Sequence, residues 1–388
     1  MTKRLLLVRS TPNDIDINGY NVQQVGLGKA FVDMGYDYDF ITFKKNGSQC
    51  KEFVFYENNG CRAKCIEKPR KRFFRWGINI DISRKEFLAK YDLIICQEYY
   101  QLESYLISRN SKNVVLYSGP YYNMFMPKWL SPIYDRIIGP KLNKNIKKVF
   151  VKSVLAEQFL SSKGYTNIQN IGVALDTMRF DDATKMTEDT KKLVEYMTKH
   201  RCILYVGALS DRKNYPFLLD TYKELIKREP DVKFVIIGKS MVSAFAKACG
   251  KKDEEYAKKY DMRLTNDIKQ GIYHIERLPN SQLKYVYPLA KAFLLPSKLE
   301  IFGMVLLEAM YLKTPVITSC NGGSMTLIDG KGTGQIVPKF DVKLWVDAVL
   351  RYLNDTQYTS DVVTKATKLI KEQYNWNTIA KQFVNVIE

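Results

Sequence analysis

Leu294-Leu295-Pro296-Ser297-Lys298-Leu299-Glu300-Ile301-Phe302-Gly303-Met304-Val305-Leu306-Leu307-Glu308-Ala309-Met310 is the stretch on which the reading of this chain turns. An apolar run closing at Leu295, a Pro-Ser loop and a second apolar run through Leu312 predict a buried strand, a loop and a helix starting near Phe302 or Gly303. After a parallel strand, such a loop lies at the carboxyl edge of the sheet, where open α/β folds bind ligands. The N–H groups of Phe302, Gly303, Met304 and Val305 are expected to point into that crevice, and a helix N-terminus attracts phosphate. Gly303 lets a ligand approach the backbone closely. Glu300 lies at the crevice mouth, and Glu308, about two turns into the helix, reaches over it. Two acceptors suit hydroxyl-rich ligands, so the crevice reads as a diphosphate clamp with a hydroxyl reader on each side. The same residues also suit a blander arrangement, with Glu308 solvated and the apolar run serving as core.

Working outward, the pattern around this stretch is a repeated βα unit. Cys202 to Gly207 reads as a strand, Tyr215 to Arg228 as a helix with one apolar face, and Val232 to Ile237 as the next strand. Between the first strand and its helix lies Gly207-Ala208-Leu209-Ser210-Asp211-Arg212-Lys213-Asn214, whose cations are placed to reach into a phosphate crevice. The polar run 181–199 reads as a linker. Before it, Leu5 to Val8, a helix from about Asn21 to Met34 and Tyr38 to Phe43 make a βαβ start, continued by strands at 91–96 and 113–117. Gly26 and Gly28 fall inside the predicted helix without a third glycine, so they read as close helix–sheet packing rather than a dinucleotide fingerprint.

The Glu300 to Glu308 spacing, followed by Lys313-Thr314-Pro315-Val316-Ile317-Thr318 and Asn321-Gly322-Gly323, resembles the E-x7-E signature of the retaining glycosyltransferases of family 4. The resemblance is strong over residues 170–388 and weak before them. It implies an α/β chain of the GT-B fold, two Rossmann-like domains with parallel sheets facing a cleft. Residues 1–180 would bind the acceptor, 181–199 form the hinge, 200–370 hold the nucleotide-sugar and 371–388 form a helix crossing back to the first domain. Carried over by position, the resemblance puts Lys213 on the donor diphosphate, Glu300 on donor-sugar hydroxyls and Glu308 on the ribose. It places Gly19 and Gly207 against the phosphates, and Ile275 or Arg277 beside the base. Three positions depart from the family. Ala208 stands where an Arg is usual, so either Arg212 takes over its work or the leaving group is held more weakly. Ser118 stands where a His is frequent, and Thr326 where an acid is common.

Composition narrows the partners. The formal net charge is +19, and residues 1–180 carry 28 Lys/Arg against 16 Asp/Glu. That asymmetry points to an anionic partner: a membrane surface, a lipid-linked phosphate or a nucleic acid. Basic residues alternate with aromatics at 64–76 and 121–130, a mixture that suits a membrane interface or single-stranded nucleic acid. Beside the enzyme reading, peripheral contact with an anionic membrane ranks first and no nucleic acid is expected. No apolar run approaches the roughly 20 residues of a membrane span, and no signal peptide is legible, so the expected location is the cytoplasm, at the inner face of the plasma membrane. The seven cysteines form no framework, Cys61 and Cys65 lack a second ligand pair, and neither His200 nor His274 is near them, so no metal is expected. The resemblance implies a metal-independent retaining transferase with no cofactor beyond its nucleotide-sugar co-substrate, acting on a glycan or lipid-linked acceptor in surface polysaccharide synthesis. A non-catalytic sugar- or nucleotide-binding protein on the same scaffold is the competing reading.

Overall fold

The computed structural model describes residues 2–10, 22–44, 49–69, 71–73, 76–123, 126–181, 183–239 and 266–387. Gly19 lies outside the described residues. Contacts divide the chain into two compact units, Met1–Asp176 with Gln373–Glu388, and Thr177–Glu372.

The first unit is built on strands β1 (Arg4–Arg9), β2 (Asp37–Lys44), β3 (Lys51–Asn58), β4 (Cys61–Pro69), β7 (Leu93–Gln97), β8 (Val114–Ser118), β9 (Lys148–Val151) and β10 (Ile168–Asn170), with a separate hairpin of β5 (Lys71–Phe73) and β6 (Trp76–Ile78). The main sheet runs β10-β9-β8-β7-β1-β2-β4-β3. All its pairings are parallel except β3 with β4. Helices cover such sheets on both faces, which is why Leu5 to Leu7 and Leu93 to Ile95 are fully buried. The basic-aromatic run at 64–76 falls partly in strands. Its first part is the inner strand β4, with Cys65 and Ile66 buried, and Lys71–Phe73 and Trp76 belong to the β5–β6 hairpin. The turn between β3 and β4 is Asn59-Gly60, with φ of 49° and 79°, a left-handed pair that favours Asn-Gly.

The Gln23–Asp33 helix confirms only part of the glycine reading. A Cβ on Gly28 would fall 2.7 Å from Tyr38 of β2, which is helix–sheet packing, whereas one on Gly26 would fall 2.2 Å from Trp376. Trp376 opens the Trp376–Val384 helix, capped by Asn375, whose side chain accepts from the Thr378 N–H at 2.8 Å. Phe383 of that helix meets Phe31, Tyr117 and Phe150 at ring-centroid distances of 6.2, 5.4 and 4.6 Å.

The second unit carries β11 (Arg201–Val206), β12 (Val232–Ile237), β13 (Ile272–Ile275), β14 (Ala290–Leu295), β15 (Val316–Thr318) and β16 (Gln335–Ile336), in the order β13-β12-β11-β14-β15-β16. Every pairing is parallel. Counted from β11, this is the doubly wound order 3-2-1-4-5-6, whose direction reverses between β11 and β14. The linker expected at 181–199 is instead largely the Glu188–Lys199 helix of this unit, which buries Thr190, Leu193 and Met197. Its charged residues are the solvent side of an amphipathic helix, and the boundary between the units falls at Asp176 and Thr177.

Candidate active site

Two loops leave the carboxyl edge of the second sheet at the reversal, one after β11 and one after β14. The first brings Arg212 and Lys213, the second Glu300. Glu300 Oε2 accepts from Lys213 Nζ and, at 3.1 Å, from Arg212 Nη1. The Arg212 guanidinium also donates to the Leu299 carbonyl at 2.9 Å, and the Lys298 N–H donates to the Arg212 carbonyl at 2.9 Å. Lys213 and Glu300 are 10% and 15% exposed, whereas Arg212 is 51% exposed. Burial pushes the Lys213 ammonium below the ordinary lysine range, and Glu300 opposes that shift. A cation so placed is held ready for a multiply charged anion, which would exchange a monovalent partner for a stronger one. Arg212, the suggested substitute for the Arg missing at Ala208, therefore reaches the same carboxylate as Lys213. Ala208 contributes its carbonyl, which accepts from the Tyr205 hydroxyl at 2.8 Å.

The helix after the loop is Met304–Tyr311, with Gly303 as its N-cap at φ 81° and no side-chain cap. Glycine is needed there for the left-handed backbone. The N–H groups of Met304 and Val305 precede the first possible intrahelical acceptor, so they are the donors offered to the crevice. Phe302 does not belong to the helix as the sequence suggested. It is 4% exposed and precedes the cap. Its carbonyl packs on Gly323, where an added Cβ would fall 1.7 Å from that oxygen. The turn Asn321-Gly322-Gly323 thus serves to let two backbone segments touch, and the Gly322 N–H donates to the Glu300 carbonyl at 3.2 Å. Asn321 and Ser324 cap the short Gly322–Leu327 helix reciprocally. Thr326, at the position where the family favours an acid, is buried and donates to the Gly322 carbonyl at 2.7 Å.

Glu308 departs most from expectation. It is not the solvated helix residue of the blander arrangement. It is 1% exposed, with the Tyr287 hydroxyl 3.2 Å from Oε2 and no hydrogen-bond partner for Oε1. Burial pushes its carboxyl up to about 8. A buried polar atom of this kind lacks the hydrogen-bond partner that folded proteins usually supply. Ser297, passed over as a loop residue, has the same character: its Oγ is buried without a partner, while its carbonyl accepts from Ser319 Oγ at 2.6 Å. A hydroxyl inside an otherwise apolar strand exit was the available signal. No sequence signal marked Tyr287.

Gly207 follows β11 at φ 152° and Ile275 ends β13, both at this carboxyl edge. β13 lies three strand spacings from β14, roughly 14 Å, which suits the far end of a nucleotide. Ile275 is half-buried, Arg277 is exposed, and His274 contacts the Gly238 carbonyl at 2.8 Å. In the first unit, Ser118 is fully buried and donates to Glu98, which also takes the Gly119 N–H and Lys152 and has φ 70°. Among the described residues, no group of three or more His, Cys, Asp or Glu is placed to hold a metal ion, and no helix is long and apolar enough to cross a membrane.

Residues 186–376 match the family model described as glycosyl transferases group 1. This half of the chain belongs to that family. An uncharacterized glycosyltransferase of Methanocaldococcus jannaschii is 24% identical over 95% of this chain and 94% of its own length. The D-inositol 3-phosphate glycosyltransferase of Corynebacterium aurimucosum is 23% identical over 57% of this chain, and the chain spans about half (51%) of that relative. A solved structure of Escherichia coli trehalose-6-phosphate bound with UDP-2-fluoro glucose has a TM-score of 0.73 at 10% identity, over 99% of both chains. The chain has the GT-B fold, and as a glycosyl transferases group 1 member it is a glycosyltransferase.

Proposed function

We propose that this glycosyltransferase moves a sugar from a nucleotide-diphosphate-sugar to a glycan acceptor, lipid-linked, in surface polysaccharide synthesis. In this reading the anomeric configuration is retained and no metal is used. The observation that carries it is the Arg212, Lys213 and Glu300 cluster at the strand-order reversal, beside the uncapped Met304–Tyr311 helix. The donor diphosphate takes over Lys213 and Arg212, while the Met304 and Val305 N–H groups receive the remaining phosphate oxygens. Glu300, released from its cations, accepts from hydroxyls of the donor sugar. A ribose hydroxyl gives Glu308 Oε1 the hydrogen-bond partner it lacks. As the glycosidic bond to phosphate breaks, negative charge develops on the leaving diphosphate against these fixed donors, and the acceptor hydroxyl gives its proton to the leaving phosphate oxygen. No imidazole is required, in keeping with Ser118.

The lipid-linked acceptor and the contact with an anionic membrane follow from the basic first half of the chain. The competing reading, a non-catalytic binding protein, draws on Thr326, whose hydroxyl is turned into its own helix. Melting temperature measured with UDP, GDP and ADP, followed by turnover of the matching nucleotide-sugar, tests both. One nucleotide should stabilise the chain, by about 2.7 kcal/mol at a hundredfold excess over its dissociation constant, and Glu300→Ala should abolish turnover. Normal turnover in Glu300→Ala would sink the mechanism, and stabilisation without turnover in the wild type would leave a binding protein.

A further inference from the structure

The segment between β8 and β9 carries three of the large apolar side chains most open to solvent. Trp129, Ile133 and Ile137 are 63%, 48% and 52% exposed. The latter two lie one turn apart on the Ser131–Ile137 helix, and Trp129 stands just before its N-cap residue Leu130. Their spacing of four places Ile133 and Ile137 on one side of that helix, with Trp129 exposed at its start. Poor anchoring does not explain their exposure. On the inner side Tyr134 is 1% exposed and donates to the Tyr99 carbonyl, and Leu142 of the following Gly139–Asn145 helix is fully buried. The two helices are thus fixed from within while an apolar stripe faces out.

The exposed charge of the segment has one sign. Lys128 before the stripe, Arg136 within it, and Lys141 and Lys144 on the following Gly139–Asn145 helix are exposed. Asp135, the sole acid from Met126 to Phe150 in the sequence, is taken up by Lys163 and Ser131. A short helical segment with an aromatic and branched aliphatics outward and exposed cations alongside has the chemistry of a surface that seats itself in a headgroup layer. A second copy of this chain fits it poorly, because a two-fold contact would press the same cations against one another.

We infer that the Trp129, Ile133 and Ile137 stripe is where this chain docks on an anionic lipid bilayer. This deepens the reading above by locating its membrane contact, and rests on that reading for the acceptor being lipid-linked. The test is binding of the full chain to vesicles of phosphatidylcholine with phosphatidylglycerol, against phosphatidylcholine alone, by sedimentation and by quenching of tryptophan emission with brominated acyl chains. Binding should require the anionic lipid, and quenching should vanish in Trp129→Phe. Ile133→Ser combined with Ile137→Ser should weaken binding about tenfold or more with an unchanged melting temperature. Lys141→Ala combined with Lys144→Ala should weaken it and flatten its salt dependence. Equal binding by the Ile133→Ser, Ile137→Ser variant, or no binding by the wild type, overturns the inference. So does concentration-dependent dimerisation lost in that variant, which would seat a second copy on the stripe. None of these readouts uses sugar transfer, so docking and the transferase reading can fail separately.

Discussion

Replacing Glu308 by Gln should make the second unit more stable at neutral pH. The carboxyl is 1% exposed with one oxygen unpartnered, and burial moves it from an ordinary value of 4.5 to about 8. The folded chain therefore keeps a proton there that the unfolded chain releases. Stability linked to this group is fully present below pH 4.5, is lost as pH rises toward 8, and changes no further above that. Between pH 4.5 and 7 the loss is 2.5 pH units at 1.36 kcal/mol each, about 3 kcal/mol. Gln keeps the shape and cannot ionise, so it escapes the loss. For a unit this size the gap in melting temperature between variant and wild type should widen by about 6–12 °C from pH 4.5 to 7, read by calorimetry or dye fluorescence in matched buffers. Glu103, also pushed up to about 8 by burial, lies in the other unit and is common to both proteins, so it cancels. Parallel curves would refute the reasoning and show that Glu308 is already ionised or solvated in the fold.

Lys213→Ala should lower turnover of the nucleotide-sugar by about 10²–10³-fold, the size seen when one donor to a developing oxyanion is removed. Arg212→Ala should cost less, since that guanidinium is 51% exposed. Equal losses in steady-state assays would overturn this ranking. Gly323→Ala sets a methyl 1.7 Å from the Phe302 carbonyl oxygen. The overpacking should cost about 1–3 kcal/mol, visible as a lower denaturant midpoint, and an unchanged midpoint would mean that the two turns move apart freely.

Much of the second unit could be read from its sequence because its strands are long apolar runs separated by glycine-marked loops. Val232 to Ile237 and Tyr215 to Arg228 lie where that pattern placed them. The first unit hid more. Lys51–Asn58 is an edge strand with exposed, charged positions, so its alternation was faint, and the Asn59-Gly60 turn was the one local sign of the hairpin. At the candidate site, Lys213, Glu300 and the helix start were legible from residue type and spacing. The depth of Glu308 was not, because it depends on Tyr287 arriving from another element 21 positions away. Nor does spacing tell whether a glycine faces a ligand or a neighbouring carbonyl, as Phe302 and Gly323 show.

The Trp376–Val384 helix closes the first unit with residues from the far end of the chain, seating Trp376 on Gly26 and Phe383 against Phe31, Tyr117 and Phe150. On a ribosome, which releases residues in order, the unit begun first is therefore finished last. Thr177–Glu372 can collect its whole sheet while its predecessor still lacks a side of its core. A premature stop just before Trp376 would spare the unit holding Lys213 and Glu300 and strip the cover from the other, leaving the earliest-made half as the one recognised as misfolded.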